Sequence, residues 1–117
     1  MKLLIVEDNP TVRRMIRRMV ADLAQEIREC DDGSEALDAY RELHPDWVLM
    51  DLRMPRLNGL AAARQLIEYD SAAHIVIVTS YDDPALRAAA SEAGASGYVL
   101  KEDLFEVRAL LQTATGR

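Results

Sequence analysis

Hydrophobic residues along this chain fall into short unbroken runs, separated by longer stretches where they recur every three or four positions. The runs Leu3-Leu4-Ile5-Val6 and Ile75-Val76-Ile77-Val78 do not alternate with polar residues, which predicts strands buried on both faces. With the shorter runs they place strands near 2–7, 26–30, 46–51, 74–79 and 97–100. Helical periodicity occupies the intervals near 10–24, 34–43, 58–69, 84–93 and 103–114. Five strand–helix alternations predict right-handed crossovers and a parallel sheet covered on both faces. The fold class is α/β, a doubly wound (βα)5 sandwich.

The first helix has the clearest period. Val12, Met15, Ile16, Met19, Val20 and Leu23 form one apolar stripe. Arg13, Arg14, Arg17 and Arg18 centre on the opposite face, as a solvated basic surface or as a docking surface for an acidic partner. Asn9-Pro10 and Asp83-Pro84 each read as an N-cap followed by proline at the first helical position. Asp32-Gly33 marks the turn into the second helix, and Gly94 stands where the fourth should stop. Thr113 to Arg117 read as the fraying end of the last helix.

Composition narrows the class. The 117 residues suit one domain, 1–117, with a single core. Half are hydrophobic and 29% charged, as in a globular chain. No apolar stretch approaches the roughly 20 residues of a membrane span. Asp8 and Pro10 interrupt the first apolar run too early for a signal peptide. The lone Cys30 reads as a small core side chain, and a reducing cytoplasm fits it. A net charge of −6 argues against nucleic-acid binding by this domain.

Candidate chemistry sits where the runs stop. The first ends at Glu7-Asp8, the third at Asp51, the fourth at Thr79 and the fifth at Lys101. In an open parallel sheet those stops share one edge, and ligands bind outside that edge. Singly, each residue reads as a solvated charge, a cap or a backbone partner. Jointly they predict a crevice with three carboxylates and one ammonium. Like charges at close range repel by a few kcal/mol, on the order expected at an effective dielectric near 20. A hard, oxygen-loving divalent cation would neutralise the excess, and Mg²⁺ suits so small a cluster.

Four motifs in order carry a resemblance. They are Val6-Glu7-Asp8, Asp51-Leu52-Arg53-Met54-Pro55 with Gly59, Val78-Thr79-Ser80, and Tyr98-Val99-Leu100-Lys101. Spread over essentially the whole chain, they resemble a response-regulator receiver domain, the phosphorylatable part of two-component signalling. The resemblance implies a flavodoxin-like five-stranded sheet of order 2-1-3-4-5. It implies that Asp51 is the phosphoacceptor, taking a phosphoryl group from a phosphohistidine on a histidine kinase or phosphotransfer protein. Asp8, Asp51 and the main-chain carbonyl of Arg53 would bind Mg²⁺ directly, and Glu7 through water. Thr79 and Lys101 would bind phosphoryl oxygens, and Tyr98 would be the switching aromatic. The helix 4–strand 5–helix 5 surface would then repack to control a partner or an attached output domain, with phosphorylation-dependent homodimerisation as one outcome.

Departures from the pattern carry information too. Many relatives have proline after the lysine; here Glu102 follows Lys101, which predicts a trans peptide. Lys101-Glu102-Asp103 resembles the branch whose receivers precede a helix-turn-helix DNA-binding domain, so the native chain is expected either to continue into one or to act alone through protein partners. Arg53 and Tyr81, each two residues past a site residue, stand where they can screen attacking water. Three rival readings meet residues that do not suit them. An Asp-nucleophile phosphatase of the haloacid-dehalogenase group wants a second aspartate where this chain has Arg53. A nucleotide- or flavin-binding module wants a glycine-rich loop where it has Glu7-Asp8-Asn9-Pro10. A pseudo-receiver would not keep the acidic pair, Thr79 and Lys101 together.

Overall fold

A computed structural model describes residues 1–54 and 56–115; Pro55 of the second motif and Gly116 and Arg117 of the expected fraying tail lie outside the described residues. Five strands, β1 (Lys2–Val6), β2 (Glu26–Cys30), β3 (Trp47–Met50), β4 (Ile75–Thr79) and β5 (Gly97–Leu100), form one parallel sheet of order β2-β1-β3-β4-β5. Helices α1 (Pro10–Val20), α2 (Ala36–Leu43), α3 (Gly59–Tyr69), α4 (Pro84–Glu92) and α5 (Phe105–Thr115) connect or follow the strands. The expected flavodoxin-like doubly wound architecture and strand order are both present.

Strand alternation divides the core between the two faces. Leu4, Val6, Val48, Met50, Ile75 and Ile77 pack with Tyr40, Ala62, Leu66 and Ala90 of α2, α3 and α4. Leu3, Ile5, Leu49, Val76, Val78 and Val99 pack with Ile16, Val20, Val107 and Leu111 of α1 and α5. The central strands bury every side chain, which is why their sequence does not alternate. Edge strand β2 instead carries Glu26, Arg28 and Glu29, charges that discourage pairing with another sheet.

Element ends follow local hydrogen bonding. Asn9 Oδ1 accepts from the Thr11 and Val12 amides, Asn58 from Ala61, and Asp83 from Ala85, so all three helices start on a side-chain cap. Gly94 adopts φ 100° after α4, and a Cβ there would meet Ile67 Cγ1 at 2.7 Å. The peptide between Lys101 and Glu102 is trans, as expected.

Three expected helices differ at their ends. The first was expected to reach residue 24, but α1 ends at Val20 and continues as a 3-10 turn, Ala21–Leu23. There Arg108 Nη1 donates to the Met19 carbonyl and pairs with Asp22, so α5 satisfies the last turn of α1. The second and fifth are likewise preceded by 3-10 turns, at Gly33–Glu35 and Lys101–Asp103. Nor is the α1 stripe wholly buried, since Met15 is 48% exposed at the rim facing α5.

Gly59 ties the fold to the sheet edge. Its amide donates to the Leu52 carbonyl at 2.8 Å, and a Cβ would stand 2.0 Å from the Asp51 carbonyl oxygen. Gly59→Ala is therefore expected to lower stability by about 1–3 kcal/mol, the usual cost of forcing extra volume into close packing. A urea midpoint unchanged from that of the parent would show that this approach is not a constraint.

Candidate functional site

Strand register assembles the site. Val6 lies level with both Cys30 and Met50, Met50 with Ile77, and Thr79 with Leu100. The residues just beyond, Glu7, Asp51 and Lys101, therefore emerge at one carboxyl edge beside Thr79. The ladder extends one step further: the Glu7 amide donates to the Cys30 carbonyl at 3.0 Å, and the Asp51 amide to the Val6 carbonyl at 2.9 Å.

One oxygen each from Glu7, Asp8 and Asp51 lie within 4.8 Å of one another. Glu7, Asp51 and Thr79 are buried, whereas Asp8 is exposed at the mouth. Lys101 Nζ stands 2.9 Å from Glu7 Oε1 and 3.3 Å from Asp51 Oδ1. Glu7, Asp8, Asp51 and Lys101 thus come together, and strand register sets Thr79 at the same edge. Arg53 lies two residues past Asp51 on the exposed loop.

Electrostatics set the character of the crevice. Burial pushes the Glu7 carboxyl up to about 7, against the paired Lys101 ammonium and a hydrogen bond from the Asn9 amide, with the nearby Asp51 charge adding to the rise. Burial also raises Asp51, and the Lys101 ammonium only partly offsets that. Lys101 itself is raised, because Glu7 and Asp51 together outweigh the burial that disfavours its charge. Three carboxylates against one ammonium leave an excess of negative charge in a buried place.

The donor set fits a hard divalent cation. Every candidate ligand side chain is a carboxylate, and no His or Cys belongs to the cluster. Glu7 Oε1 is buried and accepts no hydrogen bond among the described residues; its charged neighbour is the Lys101 ammonium, an ion pair at 2.9 Å. A buried carboxylate oxygen with one ionic neighbour and no hydrogen bond, set among two other acids, is what a cation or its hydration water would satisfy. Asp51 Oδ1 is better held, accepting from the Leu52 amide at 2.9 Å.

Thr79 and Tyr98 meet through one residue. The Tyr81 amide donates to Thr79 Oγ1 at 3.3 Å, and the Tyr98 hydroxyl donates to the Tyr81 carbonyl. The Arg87 guanidinium lies over the Tyr98 ring at 4.5 Å and also pairs with Asp82. On the outer side the Arg53 guanidinium covers the Tyr81 ring, 4.5 Å from its centre.

Two supporting residues were not singled out for the site from sequence. Arg13, read as part of a basic face, instead donates to the Glu7 carbonyl at 2.9 Å and pairs with Glu29; Arg17 also pairs with Glu29. Asp32, read only as a turn marker, is buried and accepts from the Ser34 and Arg56 amides at 2.8 and 2.9 Å. It pins the loop that follows Asp51. Its position just past β2, at the edge that carries Glu7, was the available signal.

The fold and crevice define a doubly wound α/β domain with an acidic, lysine-bearing site at the carboxyl edge of its sheet. A profile of the response regulator receiver domain matches residues 3–114. The chain belongs to that family, the signalling domains of two-component phosphorelays, which generally use Mg²⁺. It is 38% identical to the response regulator GacA of Pseudomonas aeruginosa over 99% of its own length and 56% of that protein. It is 34% identical to the chemotaxis protein CheY of Halobacterium salinarum over 86% of its length and 83% of that protein. Among solved structures, a LuxR-family two-component response regulator from Aurantimonas sp. SI85-9A1 is 36% identical, with a TM-score of 0.84 over 96% of this chain and 85% of that one. The chain thus spans about half the length of the Pseudomonas regulator. None of the helices among the described residues is long and apolar enough to cross a membrane.

Asp32 offers a test of the support. Burial alone would raise its carboxyl, but hydrogen bonds from Ser34 and the Arg56 amide, with the Arg56 charge, hold it down to about 2. Because the folded value is depressed, the stability it contributes is fully present above pH 4 or so and is lost as pH falls through about 2. Asp32→Asn should cost about 1–3 kcal/mol at neutral pH and flatten the acid limb of the stability curve below pH 4. A variant whose acid unfolding matches the parent would remove Asp32 from this role.

Proposed function

We propose that this chain accepts a phosphoryl group on Asp51 from a phosphohistidine of a histidine kinase or phosphotransfer protein. The observation that carries the reading is the buried Asp51 carboxylate, clustered with Glu7 and Asp8 and faced by Lys101 at 3.3 Å. An Asp51 oxygen attacks phosphorus, the bond to the donor imidazole breaks, and the imidazole leaves with its electron pair. Such transfer depends on in-line positioning and charge neutralisation. The main-chain bonds at the Asp51 and Leu52 amides hold the carboxylate in place for that attack.

Asp8, Asp51 and the Arg53 carbonyl would hold Mg²⁺ directly and Glu7 through water. When bound, the ion supplies positive charge against the phosphoryl oxygens. Lys101, now shared between Glu7 and Asp51, turns to a phosphoryl oxygen and supplies the second positive group. Thr79 Oγ1 only accepts in the present arrangement, so its hydroxyl proton serves the new acceptor.

Moving Thr79 inward loosens its bond to the Tyr81 amide, and the Tyr81 carbonyl is the anchor of Tyr98. Tyr98 is then released toward the vacated space, and the surface of α4, β5 and α5 repacks. This is a population shift, limited by the contacts that differ between the two states. The output is a protein partner or an attached helix-turn-helix domain; a relative about twice the chain's length and a LuxR-family neighbour support the second. The domain works in the cytoplasm, assists its own phosphorylation and dephosphorylation, and does not bind nucleic acid directly.

Incubation with acetyl phosphate and Mg²⁺ should add one phosphoryl group by intact mass, and neither Asp51→Asn nor omission of Mg²⁺ should give that gain. No gain in the parent would favour a pseudo-receiver working by partner binding alone. The Arg53–Tyr81 stack sets the acyl-phosphate lifetime by screening water. Arg53→Asn and Tyr81→Ala should each change the rate of phosphate release. Because the two side chains lean on each other, a double variant should depart from additivity by about 0.5–1 kcal/mol, or roughly two- to fivefold in rate. Single-variant rates equal to the parent's would reject the screen.

A further inference from the structure

Four arginines lie on α1 away from the centre of its apolar stripe, and one of them differs from the rest. Arg14, Arg17 and Arg18 are exposed, whereas Arg13 is half-buried. Its guanidinium divides its donors between two acceptors. Nε pairs with Glu29 Oε1 at 2.9 Å, and Nη1 donates to the Glu7 carbonyl at 2.9 Å. Glu29 belongs to edge strand β2 and takes Arg17 on its other oxygen, so both of its oxygens are engaged. The same strand supplies the Cys30 carbonyl to the Glu7 amide. Both polar groups of the Glu7 main chain are thus tied to β2, the amide directly and the carbonyl through Arg13.

That carbonyl matters for the next residue. It lies in the planar peptide between Glu7 and Asp8, and the plane sets the direction in which Asp8 leaves the strand. The Glu7 side chain has holders of its own, the paired Lys101 ammonium and the Asn9 amide, which donates to Oε2 at 3.0 Å. Asp51 accepts from the Leu52 amide. The Asp8 carboxylate is exposed, and among the described residues no hydrogen bond or ion pair holds it. Of the three acids, Asp8 therefore depends most on its backbone for its aim. A guanidinium bound at two of its nitrogens fixes a plane, where an ammonium would fix only a point.

We propose that Arg13 is a positioning residue for the cation site: by holding the Glu7 carbonyl it aims Asp8, and so sets the affinity for Mg²⁺ without touching the ion. This role rests on the reading of Asp8 and Asp51 as Mg²⁺ ligands given above. Charge alone predicts the opposite sign. Arg13 and Glu29 together are neutral, so truncating the arginine leaves a carboxylate beside an already acidic crevice, which would draw a cation in. A loss of affinity on truncation therefore reports aim and not charge.

Calorimetric titration of Mg²⁺ into the whole chain tests the role, with urea unfolding of each variant run in parallel without Mg²⁺. Arg13→Ala should bind Mg²⁺ about 10–100-fold more weakly than the parent, the usual loss when a group that orients a metal ligand is removed. Arg13→Lys keeps the charge but not the fork and should fall between the two; it decides the matter should Arg13→Ala fail to fold. Arg14→Ala removes the same charge one position along, from an exposed side chain, and should match the parent within about twofold. In phosphorylation by acetyl phosphate, the Mg²⁺ concentration that gives half the maximal rate should rise by the factor seen in binding. The maximal rate should recover as Mg²⁺ is raised. Parental or tighter Mg²⁺ binding in either Arg13 variant would overturn the positioning role. So would a maximal rate that excess Mg²⁺ fails to restore, since Arg13 would then act on the transfer itself. A parent that takes up no Mg²⁺, or whose uptake is undiminished in Asp8→Asn, would instead overturn the assignment of the ion's ligands and remove the ground on which this role stands.

Discussion

Lys101 is the charge on which the rest of the structure leans. Its ammonium stands between two buried carboxylates that would otherwise face each other and Asp8 across a few ångströms. Removing one partner of a buried ion pair leaves an uncompensated charge, which is costly, whereas the intact pair contributes little net stability. The arrangement is thus poorly explained as a stabilising device. It makes sense as a store of negative potential, which one ammonium offsets only in part.

Around that store the fold provides stiff walls and one compliant strip. Central strands whose side chains are buried, Lys2 at the start of β1 excepted, carry Glu7, Asp51 and Thr79, so their positions are set by close-packed neighbours on both faces. The arginine that grips the Glu7 carbonyl and the aspartate that pins the loop after Asp51 extend the rigidity to the loops. The Thr79–Tyr81–Tyr98 chain differs. It consists of two single hydrogen bonds at one exposed residue, flanked by two guanidinium–ring contacts on the surface. Such contacts are each of small energy, so this strip is held far more loosely than the strands beside it. Rigid acids thus stand beside a loosely held run of contacts that reaches the surface.

Much of this was legible along the chain. Unbroken apolar runs announced strands covered on both faces, and the polar residue at each run's end announced the edge where chemistry would sit. Asn9, Asp83 and Gly94 marked helix boundaries through conformations that depend only on local sequence. What local pattern missed were roles assigned by distant neighbours. Arg13 read as surface because helical period puts it opposite the apolar stripe, yet β2 lies within its reach and supplies Glu29. Met15 read as core because it keeps the stripe's period, yet the stripe is wider than the contact α5 makes with it. The first helix stops short of its apolar period, because nothing near residue 20 foretells that Arg108 will take the Met19 carbonyl.

The sequence by itself determined the class of fold, the edge that bears function and the residue types gathered there, since periodicity and chain direction act within a few residues. Only the tertiary structure decided how those residues share charge: which carboxylate oxygen is left without a hydrogen bond, which ammonium stands between which acids, and which single residue joins Thr79 to Tyr98. Those are properties of distances across strands and loops far apart in the chain. Coulombic and desolvation energies respond to such distances steeply, and no one-dimensional pattern encodes them.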